Sequence, residues 1–169
     1  IQSGPGSLSA PSCTTSGGTG SCQVTLNSSV SGTTVVRGSV TVVVNTVSLN
    51  RATADANVGD SADAQKLWIS PDTAVTIDAS ATTVYSGDKV TLTVTEANAG
   101  DVALTSPNVV VNNGVGTLSA PPTSGDTNPN GILDVGETWS WTVSNVTINT
   151  DITFTALGHG LDPLSYDIS

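Results

Sequence analysis

The chain has 169 residues, a formal net charge of −10 and only four basic residues. Nucleic acid is thereby excluded as a partner, since phosphate binding needs Lys and Arg in clusters, and no apolar run is long enough for insertion into a membrane as a helix. Val, Thr, Ser, Ala and Gly dominate, Met is absent and Phe occurs once, so an all-β protein of many short strands is predicted.

So few aromatic and large aliphatic residues predict thin cores that need support from a disulfide, a metal or a neighbouring chain. Residues 1–50 carry no acidic residue and all fourteen lie from Asp55 onward. That shift predicts two parts, residues 1–67 and residues 68–169.

In chain order, residues 1–22 are turn-rich, with a short strand at Ser7–Ser9. Cys13 and Cys22 are the only cysteines. A zinc site would need more ligands, so a disulfide closing a small Thr/Ser/Gly turn is expected. It implies an oxidising, extracellular or cell-surface location, and such a loop contributes about 2–3 kcal/mol in the chain-entropy picture. With no initiator Met, the chain reads as a processed form or a piece of something longer. Cys22–Leu26 and Thr33–Arg37 are predicted strands, and Ser39–Leu49 one long β-branched strand. Asn27 and Asn145 each head an Asn-X-Ser/Thr sequon, an acceptor for glycans in a secretory host. Asp55–Asp63 reads as a solvated acidic loop or a second cation site. Leu67–Pro71 reads as a hinge, with Trp68 filling the gap between the two parts. Beyond it, strands are expected at Thr73–Ala79, Lys89–Glu96, Val109–Val111, Gly116–Ser119, Trp139–Val146, Asp151–Ala156 and Asp167–Ile168, with a hairpin-type connection at Asn98–Asp101.

The most specific stretch is Asp126-Thr-Asn-Pro-Asn-Gly-Ile-Leu-Asp-Val-Gly-Glu137. Asp126, Asn128, Asn130, Asp134 and Glu137 fall at positions 1, 3, 5, 9 and 12 of a calcium loop, with Gly131 at the turn and the Ile132 carbonyl at position 7. All these donors are oxygens, which suits Ca2+ rather than zinc. No amphipathic helix flanks the loop, so an EF-hand protein is not implied. A fainter signal is the echo between Gly6-Ser-Leu-Ser-Ala-Pro11 and Gly116-Thr-Leu-Ser-Ala-Pro121, which fits two related sandwiches in tandem.

Taken together, Ser3–Cys13, Gly20–Leu26 and Ser31–Val36 resemble the later half of a bacterial Ig-like domain of the invasin/intimin type. Residues 70–169 resemble the tandem β-sandwich repeats of large prokaryotic surface proteins, through Tyr85–Asp88, Glu96–Leu104, Gly125–Trp139 and Ala156–Gly160. The resemblance implies extracellular scaffolding, adhesion or surface assembly with no catalytic activity. Against that pattern the first domain begins in its middle. Its few strands would leave open edges and an uncovered apolar face, so a neighbouring molecule, or another repeat of a longer chain, is expected to supply the missing strands.

Three functions follow as expectations. One is a structural subunit of a pilus-like extracellular filament, a homopolymer formed by strand exchange and stiffened by calcium. Another is an adhesin or carbohydrate-binding module meeting cell-surface glycans, with Trp139 and Trp141 on one strand face as a platform or else as core. An enzyme is not expected: His159 is the only histidine, and neither a G-x-S-x-G elbow nor a phosphate-cradling glycine loop is present.

Overall fold

The structure, a computed structural model, describes residues 1–15, 18 and 20–169. All regular structure among them is β, and the chain divides into two compact units, Ile1–Ile69 and Ser70–Ser169.

The N-terminal unit is built from three separate two-stranded antiparallel sheets. β1 (Ser7–Leu8) pairs with β2 (Leu26–Asn27), β3 (Gly32–Val36) with β6 (Ala64–Trp68), and β4 (Ser39–Val44) with β5 (Val47–Ala52). The long strand expected over Ser39–Leu49 is instead a hairpin. Asn45 and Thr46 take φ values of +47° and +70°, reversing the chain in two residues. Turns of this kind are signalled by Asn-Gly, and a β-branched Thr at the second position conceals the break. The strand expected over Cys22–Leu26 is reduced to its last residue and Asn27. Cys13 and Cys22 form a disulfide with their Cα atoms 5.9 Å apart, while Ser16, Gly17 and Thr19 of the expected turn between them lie outside the described residues. Among the described residues of this unit only Thr34 is buried. Its hydroxyl donates to the Pro5 carbonyl and accepts the Trp68 indole N–H at 2.8 Å. Trp68 therefore serves this unit, with the Lys66 ammonium 5.6 Å from its ring centroid. Arg37 and Asp63 add a two-pronged ion pair between the ends of β3 and β6.

The C-terminal unit has two sheets. One runs β12 (Thr138–Ile148), β8 (Asp88–Asn98), β7 (Thr73–Ala79); the other runs β10 (Gly116–Ser119), β9 (Leu104–Val111), β13 (Ala156–Leu161), β14 (Asp167–Ile168), with β11 (Ile132–Leu133) also on β9. Val94, Trp139 and Trp141 of the first sheet meet Leu104, Val109, Val111 and Leu133 of the second in one buried cluster. The sheets thus face each other across an apolar layer, an arrangement consistent with a β-sandwich. At roughly 1.5–3 kcal/mol for each large apolar side chain buried, this layer is where the fold draws its stability.

Two expectations are corrected here. Asn98–Asp101 is not a hairpin, because β8 and β9 lie in different sheets and the chain crosses between them. The strand expected at Asp151–Ala156 lies at Ala156–Leu161, through the glycines of Ala-Leu-Gly-His-Gly-Leu. Those glycines face inward: a Cβ on Gly158 would sit 2.5 Å from Val75 Cγ2, and one on Gly160 2.8 Å from Leu104 Cβ.

A local device recurs in both units. Ser3 bridges Val35 of β3, and Ser124 bridges Ser140 of β12. The next residues, Gly4 and Gly125, have φ of +88° and +105°, and a Cβ on either would lie 2.0 Å from a strand carbonyl oxygen, that of Thr33 or Thr138. Only glycine permits so close an approach. The echo of five identities in six residues at Gly6–Pro11 and Gly116–Pro121 has no such parallel, since β1 pairs with a two-residue strand and β10 with the central β9.

Candidate functional site

The segment between Thr123 and Glu137 is pinned to both sheets of the C-terminal unit. Thr123 and Ser124 lie along Ser140 of β12, while Ile132 and Leu133 pair with Thr105 and Leu104 of β9. Leu133 is buried in the core. The Asn98 carboxamide donates to the carbonyls of Leu133, at 2.9 Å, and Val102, at 2.8 Å. The loop is therefore stretched over the end of the sandwich by rigid supports.

Within it, the Asp126 carboxylate accepts the backbone N–H groups of Asn130 (3.3 Å) and Gly131 (3.1 Å). Asn130 Oδ1 accepts from Ile132 N at 2.8 Å. These bonds curl the first half of the loop around its own polar side chains. The carboxamides of Asn128 and Asn130 donate to one oxygen, Asp134 Oδ2, at 2.8 and 3.0 Å. Asn128, Asn130 and Asp134 are thus brought together, and Asp126 is tied to the same turn through Asn130 N and Gly131 N. Turning the Asn128 amide over would exchange its NH2 for a carbonyl oxygen, a donor that a hard cation accepts.

Glu137 is placed differently. Its nearly buried carboxylate accepts the N–H and hydroxyl of Thr127, the N–H of Asp134 at 3.1 Å and the Trp139 indole N–H at 3.2 Å. The Thr127 hydroxyl, with the other donors, holds its pKa down at about 2, because hydrogen bonds to the charged form favour it. Glu137 therefore staples the two halves of the loop to the core tryptophan. Among the described residues no group of three or more His, Cys, Asp or Glu is gathered closely enough to hold a metal ion. The acidic loop before β6 behaves similarly: Asp55 accepts from Ala52 N and Asn57 N, and Asp60 from Ala56 N.

The remaining expected site residues are scattered. Asn27 and Asn145 are exposed, the latter with φ of +64° at the bulge in β12. His159 contacts Asp167 through Nδ1 at 2.9 Å. Trp139 and Trp141 pack edge to face, centroids 6.0 Å apart, inside the core, so they offer no stacking platform to a sugar.

Two features were not picked out from sequence. Glu96 is fully buried beside Gly158, accepting from Thr73 Oγ1 at 3.0 Å, while its Oε2 has no hydrogen-bond partner. Burial pushes its pKa up to about 7. The signal was legible: Glu96 continues the inward row Val90, Leu92, Val94. The other is the hairpin β4–β5. Val40, Val42, Val44, Val47 and Leu49 share one face of it and are 44–58% exposed. Set against these features, no known protein family, curated protein or solved structure matches this chain.

Proposed function

We propose that the protein is a structural subunit of an extracellular filament or surface assembly, built from two Ig-like sandwich units in tandem, the first completed by strands from a neighbouring copy. One observation carries this reading. The N-terminal unit buries no large apolar side chain among its described residues, yet displays a five-residue apolar sheet face and open strand edges. Exposed apolar sheet of that kind is a template for pairing with another chain. The recurrent Ser-Gly device in both units supports their kinship. The disulfide suits an oxidising compartment outside the cytoplasm.

Calcium belongs to the same reading. Asp126, Asn128, Asn130, Asp134 and the Ile132 carbonyl would hold it, with Glu137 shaping the loop from below. The ion would stiffen the loop and offset the negative charge of the surface around it. An adhesin reading loses its aromatic platform to the core.

The deciding experiment is sedimentation velocity with electron microscopy on the full chain, with calcium and with chelator. Polymers that soften or disperse on chelation are expected. A monodisperse monomer at high concentration with calcium present would overturn the proposal. Polymers indifferent to chelator would remove the ion alone.

A further inference from the structure

The C-terminal unit is open at the end opposite its calcium-type loop. A cleft of about 1010 Å³ lies there against the β12-β8-β7 sheet, lined by Ile77 and Ala79 of β7, Leu92 of β8, Ile148 of β12, and Ile152 and Phe154 beyond it, with threonines and Asn149 among them. Strand edges run alongside. β7 pairs only with β8, and β14 covers β13 only at Gly160 and Leu161, leaving Ala156–His159 without a partner strand on that side among the described residues. A cleft of mixed polar and apolar lining with the unpaired edge of β7 beside it is a shape that accepts an added β-element.

The charge distribution selects the occupant. The C-terminal unit holds eleven acidic residues against Lys89 alone, a net charge of −10; the N-terminal unit holds three of each sign, net zero. Asp151 lines the cleft, and Asp78 and Asp88 lie on the strands that wall it. A second acidic unit is repelled from such a rim. The hairpin Ser39–Ala52 contains no acidic residue, its one charge, Arg51, is paired with Asp55 at 3.3 Å, and it presents Val40, Val42, Val44, Val47 and Leu49 on one face. Among the described residues each of its strands pairs only with the other, leaving both outer edges without a partner strand.

The geometry points to a contact in which the β4–β5 hairpin of one copy enters the cleft of the C-terminal unit of a second copy. Its apolar face covers Ile77, Ile148, Ile152 and Phe154, and its outer edge extends the sheet at β7. Donor and acceptor are different surfaces of the same chain, so the contact is head-to-tail and does not close on itself. This rests on the self-assembly proposed above and makes the first unit the one that lends a β-element, its uncovered apolar face being buried in the neighbour's cleft.

The test uses two full-length variants changed at exposed positions. One carries Val42→Asp with Leu49→Asp and spoils the donor; the other carries Ala79→Arg with Ile152→Arg and spoils the acceptor. Near-ultraviolet circular dichroism checks that both remain folded, through Trp139 and Trp141 for the acceptor variant and through Trp68, bonded to Thr34, for the donor variant. Each variant alone is expected to stay monomeric at ten times the concentration at which the unmodified chain polymerises. Their equimolar mixture keeps one working interface and is expected to stop at a 1:1 dimer. Polymerisation of either variant like the unmodified chain, or a mixture that forms no dimer, overturns this pairing while leaving self-assembly standing. An unmodified chain that stays monomeric under every condition overturns both.

Discussion

Two carboxylates in the C-terminal unit pull its pH dependence in opposite directions. Glu96 is buried with one oxygen unpartnered, so its folded pKa of about 7 lies above the ordinary 4.5. The folded state then binds the extra proton between those values. This contribution to stability is full below pH 4.5 and is lost as pH rises through 7. Glu96→Gln is expected to remove that slope and to raise stability above pH 7 by about 2–3 kcal/mol, read by urea denaturation across pH. An unchanged slope in the variant would acquit Glu96. Glu137 is the reverse case. Its pKa is lowered to about 2, so its contribution is present above 4.5 and lost as pH falls toward 2. Glu137→Gln leaves several donors short of an acceptor and is expected to cost about 2 kcal/mol, with a red-shifted Trp139 emission reporting a loosened loop.

At the level of elements, alternation made some strands legible and glycine or turn chemistry hid others. Thr73–Ala79 and Gly116–Ser119 stand where the pattern put them, because one face of each meets the core and the other meets solvent. β13 escaped because Gly158 and Gly160 remove the apolar side chains that announce a strand, and their neighbours leave no room for any. The β4–β5 reversal escaped because Thr46 occupies a left-handed position that glycine usually fills. Thr46→Gly is expected to relieve that conformation and stabilise the hairpin by about 1 kcal/mol, seen as slower amide exchange in β4 and β5. Faster exchange would mean that the turn depends on the Thr46 side chain. In the calcium-type loop, the alternate spacing anticipated that Asn128, Asn130 and Asp134 would meet. It did not give the inward turn of Glu137, which depends on Trp139, two residues beyond.

For the molecule as a whole, the governing fact is the separation of two deficits. The N-terminal unit lacks an apolar interior among its described residues, and the C-terminal unit carries all of the net charge. Raising salt shortens the screening length from about 30 Å at low ionic strength to about 8 Å at physiological strength. It should therefore promote assembly by quieting repulsion between C-terminal units, with light scattering as the readout; assembly that weakens with salt would place charge attraction, rather than apolar burial, at the contact. The same asymmetry reaches the bench. An anion-exchange resin has only the C-terminal half to grip, so the intact chain should elute with the ionic strength of that half alone. Material captured this way would present its neutral half to the flowing solvent, a ready means of mounting the molecule in one orientation.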